Sequence, residues 1–278
     1  MKKCGFDFLP YVLTSLASSI MPILVVLMNM MFFVRLPVTL TTSILSAILK
    51  KCNLRLPQNY RGIQMMPLIA CLFDRIIALR LISWVKIYYE QTAFQKGKGT
   101  LHQIFMLRLL IALCKKNRTS LFICFCDLSK AFDKVSRVLL LKKLIKFGIG
   151  ACMFEALKRV YVFSTCIVRF IGKLSDSFET FSGIKQGAAS SVILFIMFMD
   201  DIIDYLQERS IWEPLLHYLH CLIHADDTVI LSTTRELFIH KCEQTFQYFS
   251  DNKLTLNMNK SAYMVINGLD VQKPVTIT

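Results

Sequence analysis

One unbroken apolar segment that ends at an acidic residue restricts the fold of this chain more than any other feature. Residues 121–126 (LFICFC) have the length and apolar continuity of a strand buried on both faces, and Asp127 follows directly. About a hundred residues later, Asp226 and Asp227 lie between two further apolar runs, a pattern typical of a hairpin turn. The pattern predicts that three carboxylates meet at one point in the folded chain.

Three such carboxylates suit a site that holds two divalent metal ions for phosphoryl transfer. The ions in these sites lie about 3.5–4 Å apart and hold the attacking and leaving oxygens. Mg²⁺ prefers carboxylate and phosphate oxygens to a cage made only of protein groups. The pattern therefore indicates a nucleotide polymerase. The simpler alternative is that Asp226 and Asp227 only stabilise a turn.

The charge of the chain indicates a polyanionic partner. Its 278 residues include 33 Lys plus Arg against 19 Asp plus Glu, which gives a net charge of +14. The basic residues are scattered among apolar segments, which predicts a basic groove assembled by folding. A solvated basic surface without a partner is the alternative. The length allows one large domain or two small ones.

The ten cysteines follow no disulfide or zinc spacing, and no Cys-x-x-Cys occurs. They are typical of small core residues in a reducing compartment, so we expect an intracellular protein of the nucleus or cytoplasm. A zinc cluster of Cys221 with His217, His220 and His224 is the alternative. It is disfavoured because successive residues of a strand face opposite ways.

The segment from Phe8 to Val34 contains no charged residue. It is long enough to cross a membrane as a helix, and two lysines precede it. Prolines and polar residues interrupt it, however, and much of the remaining chain is equally apolar. We therefore predict a buried helix of a soluble domain here, with a membrane segment over residues 8–34 as the alternative.

The remaining pattern predicts helices first and then mixed helices and strands. Pro67 is expected in the first turn of a helix, and Thr100 is expected to cap the next one. The predicted helices cover residues 67–89, 100–116, 136–147, 151–162, 188–207 and 234–252. The predicted strands cover residues 121–126, 164–171, 177–182, 219–223, 228–232 and 262–267. This order is typical of an α+β fold with helices behind a largely antiparallel sheet.

Six ordered motifs give the chain a resemblance to a known family. They are residues 59–63 (NYRGI), 91–100 (QTAFQKGKGT), 127–133 (DLSKAFD), 183–187 (GIKQG), 224–227 (HADD) and 256–261 (LNMNKS). In this order and at these spacings they resemble the motifs of the reverse transcriptases of non-LTR (LINE-type) retrotransposons. The resemblance covers residues 36–267.

The resemblance implies the right-hand fold of a polymerase, within the α+β class. Residues 121–267 would form the palm, an antiparallel sheet backed by helices, and residues 36–120 would form helical fingers. Residues 1–35 would be an apolar helical segment, and residues 268–278 a tail. The chain would be truncated to fingers and palm, with the thumb missing.

The resemblance also assigns site residues. Asp127, Asp226 and Asp227 would be the catalytic carboxylates and metal ligands, and Leu128 would add a backbone carbonyl. The cofactor would be two Mg²⁺ ions, or Mn²⁺ in their place. The nucleotide-binding residues would be Lys51, Arg61, Phe132, Gln186, Gly187 and Lys260.

The basic residues of this set have a charge-based role. Arg61 can contact a triphosphate through two parallel hydrogen bonds, and Lys51 adds a point charge that Lys50 could equally supply. Lys260 would lie near the leaving pyrophosphate as a general acid, or it would merely cover the surface.

The uncharged residues would shape the nucleotide pocket. Phe132 would lie under the sugar and exclude a 2′-hydroxyl, which favours dNTPs and disfavours RNA synthesis; plain core packing is the alternative. Gln186 would contact the nucleotide, and Gly187 would allow a close backbone approach.

Three positions depart from the family pattern. His224 stands where the family usually has Tyr or Phe, and Ala93 replaces a glycine. After Gly187, residues 189–192 (ASSV) replace the common Leu-Ser-Pro, which removes a backbone bend fixed by proline.

These implications define the predicted function, an RNA-directed DNA polymerase from a retrotransposon. It would be a nucleotidyltransferase that adds dNTPs to a primer 3′-OH, with an RNA template and a DNA primer as partners. One alternative is a catalytically decayed or truncated copy that binds RNA without turnover. A weaker alternative is a membrane-anchored protein.

Overall fold

The computed structural model describes residues 17–267, except residues 35, 51, 52, 54, 57, 58, 96, 163, 210, 214, 217 and 218. In this part of the chain the helices are α1 (Ala17–Met31), α2 (Val38–Thr41), α3 (Leu68–Trp84), α4 (Thr100–Lys116), α5 (Ala131–Lys134), α6 (Arg137–Lys146), α7 (Ala151–Val162), α8 (Ala189–Asp200), α9 (Ile202–Glu208) and α10 (Arg235–Asp251). The strands are β1 (Thr42–Leu49), β2 (Tyr60–Met65), β3 (Leu121–Cys126), β4 (Thr165–Phe170), β5 (Lys173–Leu174), β6 (Phe178–Glu179), β7 (Cys221–His224), β8 (Asp227–Ser232) and β9 (Ala262–Ile266).

These elements form two compact units. The first unit comprises the described residues up to Val85 together with Ser136–Leu194. The second unit comprises Lys86–Val135 together with the described residues from Phe195 onwards.

The second unit contains a four-stranded antiparallel sheet with the strand order β7-β8-β3-β9. β3 takes an inner position because its side chains are apolar on both faces, and Leu121 and Ile123 are fully buried. α10 packs against β8 and β3, and α4 packs against β7. The predicted strand at 121–126, the hairpin after it and the antiparallel sheet backed by helices are confirmed.

The first unit contains a mixed sheet with the strand order β2-β1-β4-β5, and β6 pairs with β4. β1 pairs antiparallel with β2 and parallel with β4. The sequence predicts helical fingers over residues 36–120, and the structure has the strands β1 and β2 there beside the helices α2, α3 and α4. The apolar residues of β1 at positions 44, 45, 48 and 49 follow the spacing of a helix face, so local periodicity is misleading where sheet pairing decides.

The helix predictions are confirmed, with differences at their ends. Pro67 is the N-cap of α3 rather than its first residue, and Gly99 rather than Thr100 is the N-cap of α4, without a side-chain bond. The long helix predicted after Gly187 is divided at Asp201 into α8 and α9.

The apolar helix α1 differs from the buried helix predicted for its segment. Met28 and Met31 are buried, whereas Met21 and Val26 are exposed and Ile23 is 68% exposed. Among the described helices none has the length and apolar composition needed to span a membrane. Residues 8–16 of the predicted segment lie outside the described residues.

Candidate active site

The register of the second unit's sheet brings Asp127 beside the turn that carries Asp226 and Asp227. β3 and β8 pair antiparallel with Cys126 opposite Thr228. Continued by one residue, this register pairs Asp127 with Asp227. Opposite residues of antiparallel strands have Cα atoms about 4.5–5.5 Å apart. The three predicted carboxylates therefore lie at the same end of one sheet.

The turn has a backbone conformation that residues with a Cβ rarely adopt. His224 pairs with Asp227 to close the hairpin, and Ala225 in the turn has a φ of 58°. Gln91 stabilises this conformation, because its side-chain Oε1 accepts the N–H of Ala225 at 3.1 Å. The same oxygen accepts the N–H of Ala93 at 3.0 Å.

The chain around Gln91 also pairs with β7. The N–H of Ile223 donates to the carbonyl of Glu90 at 3.0 Å, and the N–H of Thr92 donates to the carbonyl of Ile223 at 3.0 Å. The Thr92 hydroxyl lies 3.1 Å from Nδ1 of His224, so the histidine is accommodated at this position. Gln91 stands in one of the sequence motifs, but the motif indicates no role for it at the site. The sequence carries no signal for this role, because the bond joins segments far apart in the chain.

Replacement of Gln91 by leucine is expected to lower the free energy of unfolding by about 1–3 kcal/mol, because two buried N–H groups lose their acceptor. Urea unfolding followed by circular dichroism measures this change. Gln247→Leu is the control, since Gln247 is exposed and bonds only to Asp251 in the same unit; its effect should stay within about 0.5 kcal/mol. Equal effects of the two substitutions would contradict the role of Gln91.

Asp127 is held from its other side by the turn before β9. Its two carboxylate oxygens each lie 3.1 Å from Nζ of Lys260, and Oδ2 accepts a hydrogen bond from Nδ2 of Asn257 at 3.0 Å. The carbonyl of Asp127 accepts the N–H of Asn257 at 2.8 Å, and its own N–H donates to Oγ of Ser261 at 3.1 Å. The LNMNKS motif therefore contacts the first carboxylate directly.

The three acids interact through their charges. Burial, followed by the negative charges of Asp226 and Asp127, raises the pKa of the Asp227 carboxyl, while His224 and Lys260 oppose the rise. A group of like charges is unfavourable, and a bound cation relieves the repulsion. The electrostatics of the turn thus favour the approach of a cation.

The chemistry of these donors fits a hard divalent cation. Carboxylate oxygens are preferred ligands of Mg²⁺, and Leu128, which forms a β-bridge with Leu256, offers a neighbouring backbone carbonyl. Within the described residues, no three His, Cys, Asp or Glu side chains are grouped as a metal site. Because Lys260 contacts both oxygens of Asp127, metal binding there requires the half-exposed lysine side chain to turn away.

Phe132 lies in the same unit, on the short helix α5. Its ring stacks on Phe195, with the centroids 4.6 Å apart and the planes 14° apart. The packing role that the sequence left open is therefore present. The role under the sugar stays a prediction.

Of the other predicted nucleotide-binding residues, Lys260 belongs to the second unit, whereas Arg61, Gln186 and Gly187 belong to the first. Lys51 lies outside the described residues. Arg61 is exposed on β2. The carbonyl of Gln186 accepts the N–H of Gln64 at 2.7 Å. Gly187 has a φ of 118°, and a Cβ at this position would lie 2.8 Å from the Gln64 carbonyl oxygen. The glycine thus permits a close backbone approach, here to β2.

Comparison with protein families shows which family this chain belongs to. The family model described as "Reverse transcriptase (RNA-dependent DNA polymerase)" matches residues 48–277. The chain belongs to the reverse transcriptase family. Reverse transcriptases, like other polymerases, generally use divalent metal ions.

The relatives of this reverse transcriptase chain include retrotransposon proteins. It is 24% identical to the transposon TX1 uncharacterized 149 kDa protein of Xenopus laevis, a match that covers 85% of the chain and 18% of the relative. It is 25% identical to the Pol polyprotein from the type-2 retrotransposable element R2DM of Drosophila melanogaster, a match that covers 81% of the chain and 21% of the relative. The resemblance to non-LTR retrotransposons is confirmed, and the chain spans about a fifth of these two relatives.

Solved structures with a similar fold include telomerases. Apo telomerase from Candida tropicalis, truncated from its C-terminal domain, aligns with a TM-score of 0.60 and 14% identity, covering 84% of this chain and 51% of that one. Telomerase from Candida albicans, in complex with a fragment of telomeric RNA, aligns with a TM-score of 0.60 and 13% identity, covering 87% of this chain and 44% of that one. At these identities the likeness concerns the fold, and it confirms the predicted fold class.

Proposed function

We propose that this chain catalyses RNA-directed DNA synthesis, the transfer of a nucleotide from a dNTP to the 3′-hydroxyl of a primer. The observation that carries the proposal is the register of β3 with β8, in which Cys126 lies opposite Thr228. Continued by one residue, this register brings Asp127 opposite Asp227 and beside Asp226. Carboxylates at one sheet end are the groups that nucleotidyl transfer requires. Membership of the reverse transcriptase family over residues 48–277 supports the same chemistry.

The candidate catalytic residues of the second unit each have a task in this proposal. Asp127, Asp226 and Asp227 hold Mg²⁺ or Mn²⁺ together with the carbonyl of Leu128. The chemistry supplied by such ions is a lower pKa of the attacking hydroxyl and compensation of the charge on pyrophosphate. Lys260, once released from Asp127, donates a proton or a charge-assisted hydrogen bond to the leaving group.

The nucleotide and the nucleic acids engage further residues. The ring of Phe132 excludes a 2′-hydroxyl, Gln186 contacts the nucleotide beside Gly187, and the triphosphate is bound by Arg61 and Lys51. We assign the fingers to residues 36–120 and the palm to residues 121–267. The basic residues hold an RNA template and a DNA primer mainly through contacts with phosphate groups. The reaction takes place inside the cell.

Primer extension tests this function. We expect the chain to extend a DNA primer on an RNA template with dNTPs and Mg²⁺, and to prefer dNTPs over rNTPs. Phe132→Val should raise rNTP use relative to dNTP use by about tenfold or more, because it opens space for the 2′-hydroxyl while it leaves an apolar side chain. A folded chain that binds the RNA and adds no nucleotide contradicts the proposal.

A second candidate function is RNA binding without turnover. Two observations favour it: Lys260 contacts both oxygens of Asp127, and no described set of three acidic or metal-ligating side chains is grouped for a metal. RNA binding would then depend on the basic surface and fall with salt. Addition of even single nucleotides at a useful rate excludes this candidate.

A further inference from the structure

A buried polar cluster lies beside the Gln186–Gly187 turn in the first unit. It consists of Asp74, Lys185 and Ser190, none of which is more than 3% exposed. Burial of a carboxylate and an ammonium group is costly unless each has a partner. We call these three residues the Asp74 cluster.

Asp74, on α3, holds the beginning of α8. Its Oδ2 accepts the backbone N–H of Ser190 at 3.0 Å, and its Oδ1 accepts the hydroxyl of the same serine. The first N–H groups of a helix have no acceptor within the helix, and a carboxylate beside them is favoured by the helix dipole. The Asp74 side chain therefore holds both the backbone N–H and the hydroxyl of Ser190.

Lys185 supplies the opposite charge. Burial lowers the pKa of its ammonium group to about 8, and the charge of Asp74 opposes that shift. Its Nζ lies 5.9 Å from the ring centroid of Tyr161. Both Asp74 and Lys185 line a cavity of about 10 Å³, which has room for about one water molecule. The charges of Lys185 and Asp74 thus attract each other within this unit.

Hydroxyl groups hold the same stretch of chain from a second direction. Oγ of Ser191 donates to the carbonyl of Lys185 at 2.8 Å, and the hydroxyl of Tyr161 lies 3.2 Å from Oγ of Ser191. Since Lys185 precedes the Gln186–Gly187 turn and Ser190 follows it, both flanks of the turn are held.

The cluster also accounts for one departure from the family pattern. Where the family commonly has Leu-Ser-Pro, this chain has two serines and no proline at residues 189–192 (ASSV). The hydroxyl of Ser190 donates to Asp74 and that of Ser191 donates to the carbonyl of Lys185, and these bonds fix the backbone at this point. The chain thereby replaces a bend fixed by proline with one fixed by buried hydrogen bonds.

We propose that Asp74 is a positioning residue for the Gln186–Gly187 turn, acting through Ser190 and balanced by Lys185. The proposal rests on the nucleotide-binding role proposed for Gln186. Asp74 keeps the turn in one conformation, so that a nucleotide meets a preorganised contact. The chemical step depends on Asp127, Asp226 and Asp227, so loss of Asp74 weakens nucleotide binding more than turnover.

The test measures kcat and KM separately in primer extension by Asp74→Asn and Ser190→Ala. Each variant should raise KM for dNTP by about tenfold, the effect of one lost buried hydrogen bond, with kcat within about threefold of wild type. Hydrogen exchange of the amides of residues 183–191 should become faster in both variants. If Asp74→Asn does not fold, Ser190→Ala, which keeps the backbone N–H, provides the result.

Ser43→Ala is the matched control. Ser43 is equally buried in the same unit, but its hydroxyl contacts the Thr165 carbonyl and Cys166 at the sheet. It should lower the melting temperature without altering KM or exchange at residues 183–191. If Ser190→Ala behaves like this control, the positioning role is overturned. If the wild-type chain adds no nucleotide, the proposed function fails, and the exchange of residues 183–191 still decides the role of Asp74.

Discussion

The Asp127→Asn variant is expected to lose primer extension by about a thousandfold or more, or about 4 kcal/mol of transition-state stabilisation. Asparagine keeps an oxygen that can accept the hydrogen bond from Nδ2 of Asn257, but it lacks the negative charge that binds a divalent cation. The fold should be retained, because the ion pair with Lys260 is partly exposed, with 50% of the lysine side chain accessible. Such pairs contribute roughly 0–1 kcal/mol. Single-nucleotide incorporation and a thermal melt of the same preparation measure both expectations.

Asp251→Asn is the control for this substitution. Asp251 is exposed in the same unit and accepts a hydrogen bond from Nε2 of Gln247 at 2.7 Å. Its replacement therefore removes the same charge and leaves the bonds of Asp127 in place. This variant should extend primers at the wild-type rate. Unchanged extension by Asp127→Asn, with the same dependence on Mg²⁺, would refute the assignment of the metal ligands.

The strand β3 and the β7–β8 hairpin could be predicted because their signals are local. Residues 121–126 are apolar without interruption, and Asp226 and Asp227 interrupt two apolar runs at hairpin spacing. The pairing of β3 with β8 joins segments about a hundred residues apart, so no local pattern encodes it. The order of the motifs, with acidic residues at the ends of both segments, is what predicts that Asp127 lies near the turn.

The sheet of the first unit could not be predicted because no motif indicates which of its strands pair. β1 pairs parallel with β4, more than a hundred residues later in the chain, and no local pattern encodes such a partner. Gln91 was missed as a site residue for the same reason, since its bond to the Ala225 N–H joins two distant segments. Side-chain roles that act across the sequence become visible only in the folded chain.

The contact of Lys260 with Asp127 illustrates a further limit of sequence analysis. The motif order places this lysine near the active site, and the structure joins it to the first carboxylate. The motif cannot show that the same amine competes with a cation for Asp127. That competition follows from the geometry of the turn before β9, which sequence spacing does not define.

Loss of one partner from the buried ion pair of Glu213 and Lys241 is expected to destabilise the second unit strongly. Their Nζ and Oε2 atoms lie 2.5 Å apart, with side-chain exposures of 2% for Glu213 and 7% for Lys241. The glutamate also accepts the hydroxyl groups of Ser232 and Thr233 at 3.0 and 2.8 Å. Glu213→Ala leaves a buried ammonium group without its partner, which should lower the free energy of unfolding by about 3–5 kcal/mol. Urea unfolding followed by circular dichroism measures the loss.

Two comparisons separate the loss of the pair from the loss of packing. Glu213→Met combined with Lys241→Met should be far more stable than Glu213→Ala, because an apolar pair leaves no buried charge. Glu208→Ala, which removes an exposed pair with Arg209, should change stability by less than about 0.5 kcal/mol.

The pH dependence of the free energy of unfolding tests how the Glu213 carboxylate contributes to stability. Burial alone would raise the pKa of the Glu213 carboxyl, but the hydrogen bond and charge of Lys241 and the bonds from Thr233 outweigh burial, so the pKa lies below its ordinary value of 4.5. A carboxyl group with a lowered pKa stabilises the fold above its ordinary pKa and loses that contribution as the pH falls through the folded value. The stability difference between wild type and Glu213→Ala should therefore be constant near neutral pH and shrink below about pH 4.5. A difference that grows on acidification would contradict the role of the pair.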